Sequence, residues 1–343
     1  MINIQSIIDK TVEILKTHEL EKPGEYTRWL WQNASNDREL GINEYGCADA
    51  ANILYMIGMF PTNDEERKSW ISTLQNLQDK ETGLFVEKTH HYIHTTAHCI
   101  AALELFDKKA KYPLKALEKY KSKENLYDLL NNLDWDNNPW TASHEGAGIY
   151  AAMVLQGEAN DVWEKWYFDW LYEEADPCSG FWKKGSVKPI LNGDSFAGKR
   201  TTPSVFPHLA STFHYLFNHE YAHKPLRYPE KMIDTCLDIY NNGLWPTLGK
   251  NVSFAEIDWV YCLNRAVRQC NYKYVEVKET LYKFAKDYVA FLDGLDPNSH
   301  DGLNDLHTLF GAICALCELQ AALPGRVVSK NHLKLVLDRR PFI

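Results

Sequence analysis

Residues 92–106 read YIHTTAHCIAALELF, and residues 305–320 read DLHTLFGAICALCELQ. They align without a gap from His94 to Leu103 and from His307 to Leu316. Each pairs a His-Thr start with an Ala-Leu pair eight and nine positions on, and a helix this rich in small residues all round belongs in an interior. A short turn signal stands ahead of each, at 79–85 (DKETGLF) and 296–303 (DPNSHDGL). Two more occur at 176–182 (DPCSGFW) and 238–245 (DIYNNGLW). All four read as a helix end with glycine at or near C′, then an apolar anchor.

Extending that register along the chain finds a polar residue followed eight and nine positions later by an apolar pair. The anchors become Cys47, His94, His144, His208, Asp258 and His307, at spacings of 47, 50, 64, 50 and 49 residues. Between them lie amphipathic segments at 65–77, 114–133, 160–173, 229–241 and 276–292, with 4–17 before the first. Alternating small-residue and amphipathic helices at a period of about 50 residues suits a closed ring of about six helical hairpins. TPR and HEAT solenoids have shorter periods. The expected fold is therefore all-α, with small-residue helices inside and amphipathic helices outside. It forms one domain over 1–343, since no Pro/Gly/Ser-rich linker divides the chain. Such a double ring spreads its core around a circumference, and so can exceed the roughly 250–300 residues at which a compact core stops growing.

Composition agrees: 45% apolar residues, 13% aromatics, and only 18 Gly and 14 Pro in 343 residues favour helix and a sizeable core. A net charge of −9 argues against a nucleic-acid backbone as partner. No stretch reaches the roughly 18–20 apolar residues of a membrane span, and Asp9, Lys10 and Glu13 interrupt what would be a signal peptide. A cytoplasmic protein is expected. The eight cysteines fall mostly within apolar helical patterns and read as reduced thiols, the CxxC of Cys314 and Cys317 lacking a second ligand pair.

The Gly-aromatic turn followed by His94-Thr95 to Ala102-Leu103, and by His307-Thr308 to Ala315-Leu316, resembles the α/α toroids of terpenoid cyclases and protein prenyltransferase β subunits. Six-hairpin glycoside hydrolases and the uronate lyases and epimerases share that architecture. The resemblance spans nearly the whole chain and is architectural, so it speaks for fold more than chemistry. From the prenyltransferases it implies zinc, held by a Cys/Asp pair and a His of an H-T segment; Cys47, Asp49 and His94 match, with the Cys and Asp order reversed. From the class II cyclases it implies a D-x-D-D acid, which residues 134–137 (DWDN) only approximate.

The register carries its own functional expectation. Since the turns precede the inner helices, all the anchors should open at one end and ring a cavity mouth near positive helix ends. His94, His144, Glu145, His208, Asp258 and His307 are then the candidate acids and bases, with Glu44, Asp49, Glu256 and His98 as neighbours. His94 and His98 share a helix face at i, i+4, as metal-binding pairs do. His214, His219 and His223 are expected in the core or at the surface. Tyr45, Trp140, Trp182, Trp245 and Trp259 would offer flat faces to a sugar ring or a carbocation.

The long spacing between His144 and His208 places an insertion at about 183–204, where Lys183, Lys184, Lys188, Lys199 and Arg200 face a single acid, Asp194. As a lid, its Lys199 and Arg200 would bind a carboxylate or phosphate. The leading expectation is an enzyme acting on an acidic or phosphorylated carbohydrate, small or oligomeric, by acid/base chemistry as lyase, hydrolase or epimerase. An isoprenoid cyclase or prenyl-transfer relative, with zinc in the latter case, is the alternative, and a non-catalytic binding toroid the third.

Overall fold

The computed structural model describes residues 1–187, 205–245 and 247–342. Its helices are α1 (Gln5–His18), α2 (Glu44–Met56), α3 (Asp64–Asn76), α4 (Tyr92–Glu104), α5 (Lys123–Asn132), α6 (Pro139–Gln156), α7 (Asp161–Glu174), α8 (Val205–Tyr221), α9 (Pro229–Asn241), α10 (Ala255–Gln269), α11 (Tyr274–Asp293), α12 (Asp301–Asn304) and α13 (Leu306–Ala322). The two described strands are short: β1 (Ile2–Asn3) pairs in parallel with β2 (Val327–Val328). The chain is thus all-helical in architecture.

Six helices pack in cyclic order. α2 touches α4, α4 touches α6, α6 touches α8, α8 touches α10, α10 touches α13, and α13 returns to α2. Small residues permit this crowding: a Cβ on Gly146 would stand 2.1 Å from the Tyr215 hydroxyl of α8. The remaining helices present one apolar face, as α1 does with Ile7, Ile8, Thr11, Ile14, Leu15 and His18. One expected outer helix is broken. Residues 114–133 split into a 3-10 turn (Lys115–Lys121) and α5, because Ser122 adopts an extended backbone and caps α5 by accepting from the Asn125 amide.

Two of the four turn signals share one geometry. Gly83 and Gly180 both take φ +78°, and their amides donate to the Asp79 and Asp176 carbonyls at 2.9 and 2.8 Å. The Asp side chains in turn accept from the Thr82 and Ser179 amides. The second residue after each glycine is tied to the following inner helix: the Phe85 amide donates to Thr96 Oγ1 of α4, and the Trp182 amide to Thr212 Oγ1 of α8. The fourth signal differs, since His300 stands where the glycine would be and Gly302 lies within α12.

The six helices run the same way. First-turn residues of α2, α4 and α13 meet at one end, whereas Met56, Glu104, Arg265 and Gln320, from the last two turns of α2, α4, α10 and α13, meet the segment 333–342 at the other. Among the described residues no helix is long and apolar enough to cross a membrane.

Candidate functional site: a histidine nest

The amino-terminal ends of the six helices enclose a group of imidazoles. Asn43 caps α2 by accepting from the Tyr45 and Gly46 amides, and Asp305 caps α13 by accepting from the His307 amide. These equivalent caps bring Tyr45 and His307 to ring centroids 4.5 Å apart. α4 adds His94 and His98, α6 adds His144, and α8 adds His214 from deeper along the helix. His90, just ahead of α4, stacks on Tyr45 at 4.4 Å.

Two triads stand out. His94, His144 and His214 bring ligand nitrogens within 4.8 Å of one another, and so do the ligand atoms of Asp49, His98 and His307. In the second triad Asp49 bonds both imidazoles, His98 Nε2 at 2.8 Å and His307 Nδ1 at 3.2 Å. In the first, the His94 and His144 rings lie 4.3 Å apart and the His144 and His214 rings 5.1 Å apart. Tyr45 Oη meets His94 Nδ1 at 2.5 Å, joining the triads. Ser143 sets the His214 tautomer. Its hydroxyl donates to the Trp140 carbonyl at 2.5 Å, so its oxygen accepts from His214 Nδ1–H at 2.9 Å, and the lone pair falls on Nε2.

Burial holds the imidazoles of the two triads neutral. Desolvation, followed by neighbouring imidazoles, pushes His94 and His144 well below the ordinary histidine range. Burial pushes His214 down to about 3, and pushes His307 down to about 4 despite Asp49. Burial would raise Asp49, but His307 and His98 outweigh it and hold the carboxyl well below the usual carboxylate range. Neutral imidazoles around an ionised carboxylate are what a divalent transition metal requires of its ligands.

The rim is rigid. Arg28 forms a bidentate pair with Asp305 at 2.8 and 3.0 Å, and lies over the Trp29 and Tyr45 rings. Glu87 accepts from the Thr89 and His90 amides.

Other expected residues go elsewhere. Cys47 is buried with its thiol directed at the Tyr26 carbonyl, and burial pushes it up to about 12, so it is protonated and turned away from Asp49. The set Cys47, Asp49 and His94 is therefore not brought together: Asp49 and His94 fall in different triads, and so do His94 and His98. His208 Nδ1 lies 3.4 Å from the Trp182 carbonyl, outside both triads. Asp258 is buried outside them too, and burial, then Glu256, raises its carboxyl well above the ordinary range. Glu145 stands 3.6 Å from His91 and lines a cleft of about 440 Å³ beside α5, together with Asp134 and Asn138. Trp182 and Trp259 are core residues whose indoles donate to the Leu171 and Cys236 carbonyls, while half-buried Trp140 meets Phe206 edge-on. Lys199 and Arg200, with the rest of the insertion from 188 to 204, lie outside the described residues. His214, expected in the core or at the surface, is a member of the nest.

No protein-family model, curated protein or solved structure matches this chain.

Proposed function

We propose that the chain is an α/α toroid and that its histidine nest is the centre of a metal-dependent acid/base enzyme. The observation that carries this reading is the triad His94, His144 and His214: three neutral imidazoles with ligand atoms within 4.8 Å of one another. Three histidines suit zinc in an open site, where the metal polarises a carbonyl or brings a bound water to a pKa of about 7. A metal on His94 Nε2 would make His94 Nδ1–H the donor to Tyr45 Oη.

The second triad moves protons. Asp49 orients His98 and His307 and stabilises the imidazolium that either forms on accepting a proton, as the carboxylate of an Asp-His pair does. Tyr45 lies against both triads and aligns them. The substrate class we favour is an acidic carbohydrate, converted by a lyase, hydrolase or epimerase reaction. A nest lined with imidazoles and a carboxylate suits a polar substrate better than the apolar hydrocarbon of an isoprenoid enzyme.

The test is turnover of uronate-containing oligosaccharides by the purified protein, before and after chelation. We expect activity that chelation abolishes and zinc restores, and a fall of about 10²–10⁴ in kcat with little change in KM for His307→Asn. Substrate binding with no turnover by the wild type would assign a non-catalytic toroid instead.

A further inference from the structure

Beneath the nest, residues 333–342 cross the opposite end of the six-helix cycle. The Leu333 amide donates to Gln320 of α13, the Lys334 amide to the Met56 carbonyl of α2, and Arg339 to Glu104 of α4. Asp338 accepts from Arg265 of α10, and the Pro341 carbonyl accepts from Asn218 of α8. Phe342 packs on Phe217 and, edge-on at 4.9 Å, on His94. The segment thus forms a floor reaching up to the first triad.

Arg340 is carried into the interior by this floor and is fully buried. Its Nη2 donates to Asn52 Oδ1 of α2. Its Nε and Nη1, and the Nδ2 of Asn52, find no acceptor among the described residues. Burial lowers the guanidinium to about 10, so it remains a cation at neutral pH. The other two buried arginines among the described residues show what such a group ordinarily has: Arg28 holds Asp305, and Arg265 holds Glu318, Glu220 and Asp338. Arg340 has only the longer-range attraction of Glu104 and Asp49. A buried charge without a contact ion pair is destabilising, and buried donors without acceptors add to that cost.

We propose that Arg340 and Asn52 form a subsite for a small anionic group, a carboxylate or an inorganic anion, seated beneath the nest. The anion supplies the ion-pair contact that Glu104 and Asp49, acting only from a distance, do not give, and it accepts from the unpartnered donors of Arg340 and Asn52. Joined to the function proposed above, the subsite would take the acid group of the sugar and fix the ring relative to His98 and Asp49. That extension rests on the proposed function; the anion subsite does not.

The test is thermal unfolding of the full chain, metal-loaded and after chelation, titrated with chloride, formate or a free uronate at constant ionic strength set with methanesulfonate. A ligand that binds only the native state raises Tm as its concentration passes its Kd. The expected result is a saturable rise in Tm for the wild type in both metal states, absent in Arg340→Met. Asn52→Leu keeps the charge and should weaken apparent affinity about tenfold, which keeps the proposal testable if Arg340→Met does not fold. A uronate that competes with chloride assigns the subsite to the substrate's carboxylate; chloride binding without competition assigns it to an inorganic anion. A flat response in the wild type, or an unchanged response in both variants, overturns the proposal whether or not the nest binds metal.

Discussion

The two ends of the six-helix cycle are both lined with buried polar groups, and they handle them in opposite ways. At the carboxy-terminal end Arg265 meets Glu318, Glu220 and Asp338 at 2.7, 3.1 and 2.6 Å, and Asn264 donates to Glu318. Arg265 there has its counter-ions in contact, as Arg340 of the crossing segment does not, and the network ties α8, α10 and α13 to that segment. At the amino-terminal end the imidazoles of the two triads are crowded and neutral, and only Asp49 among the triad members carries charge. A satisfied network fixes a structure, whereas crowded neutral imidazoles with one buried nitrogen unpartnered, His98 Nδ1, depend on the surrounding helices to hold them. The contrast separates the polar residues that hold the fold from those available for chemistry.

The largest effect that would sharpen this contrast is on stability. Arg265→Ala leaves Glu318 buried without its partner and should cost about 3–5 kcal/mol in urea unfolding. His144→Ala should cost only about 1 kcal/mol, since His144 is half-buried and anchors no comparable network. Equal losses at the two sites would erase the distinction.

Ser143→Ala comes next. It removes the oxygen that accepts from His214 Nδ1–H and should weaken metal affinity about 10–100-fold, measured by competition with a chelator. Unchanged affinity would mean that Ser143 does not set the His214 tautomer.

The smallest effect is the pH dependence of stability, which pulls in opposite directions. His219, in the last turn of α8, is pushed down to about 4 by burial. The unfolded chain then takes up a proton that the native chain refuses, and stability falls as pH drops from about 6.5 towards 4, by at most about 1.4 kcal/mol per pH unit. Glu256, in the first turn of α10, is pushed up to about 7 by burial. The native chain keeps that proton longer, so its contribution falls as pH rises from about 4.5 towards 7. His219→Gln should flatten the acid limb and Glu256→Gln the other, read as urea midpoint against pH. A profile that neither substitution changes would contradict both assignments.

Much of the helical order was legible because small-residue and amphipathic segments alternate, and the His-Thr starts fixed α4 and α13 correctly. Site membership was harder to read, because it depends on helix phase and a shift of two residues turns a side chain to another face. The match on an apolar pair chose Cys47 where the Asn43 cap chooses Tyr45, the cap-plus-two position that His307 holds after Asp305. In α8 it chose His208, whereas the Thr96 and Thr212 latches put His214 in register with His98. Caps and latches were therefore the better ruler, and Asn43 and Asp305 were visible in the sequence. The crossing segment was not foreseeable: nothing in residues 333–342 shows that Arg340 and Phe342 fold back beneath the nest.

The most direct measurement is metal content. Protein purified without chelator, dialysed and analysed for elements should carry about one zinc or other transition metal per chain, with nitrogen ligands in its X-ray absorption spectrum. Replacing His94, His144 and His214 together by Ala should remove the metal while the helical circular dichroism persists. A wild type that stays metal-free after incubation with zinc, or a triple variant that keeps the full metal complement, would contradict the central claim.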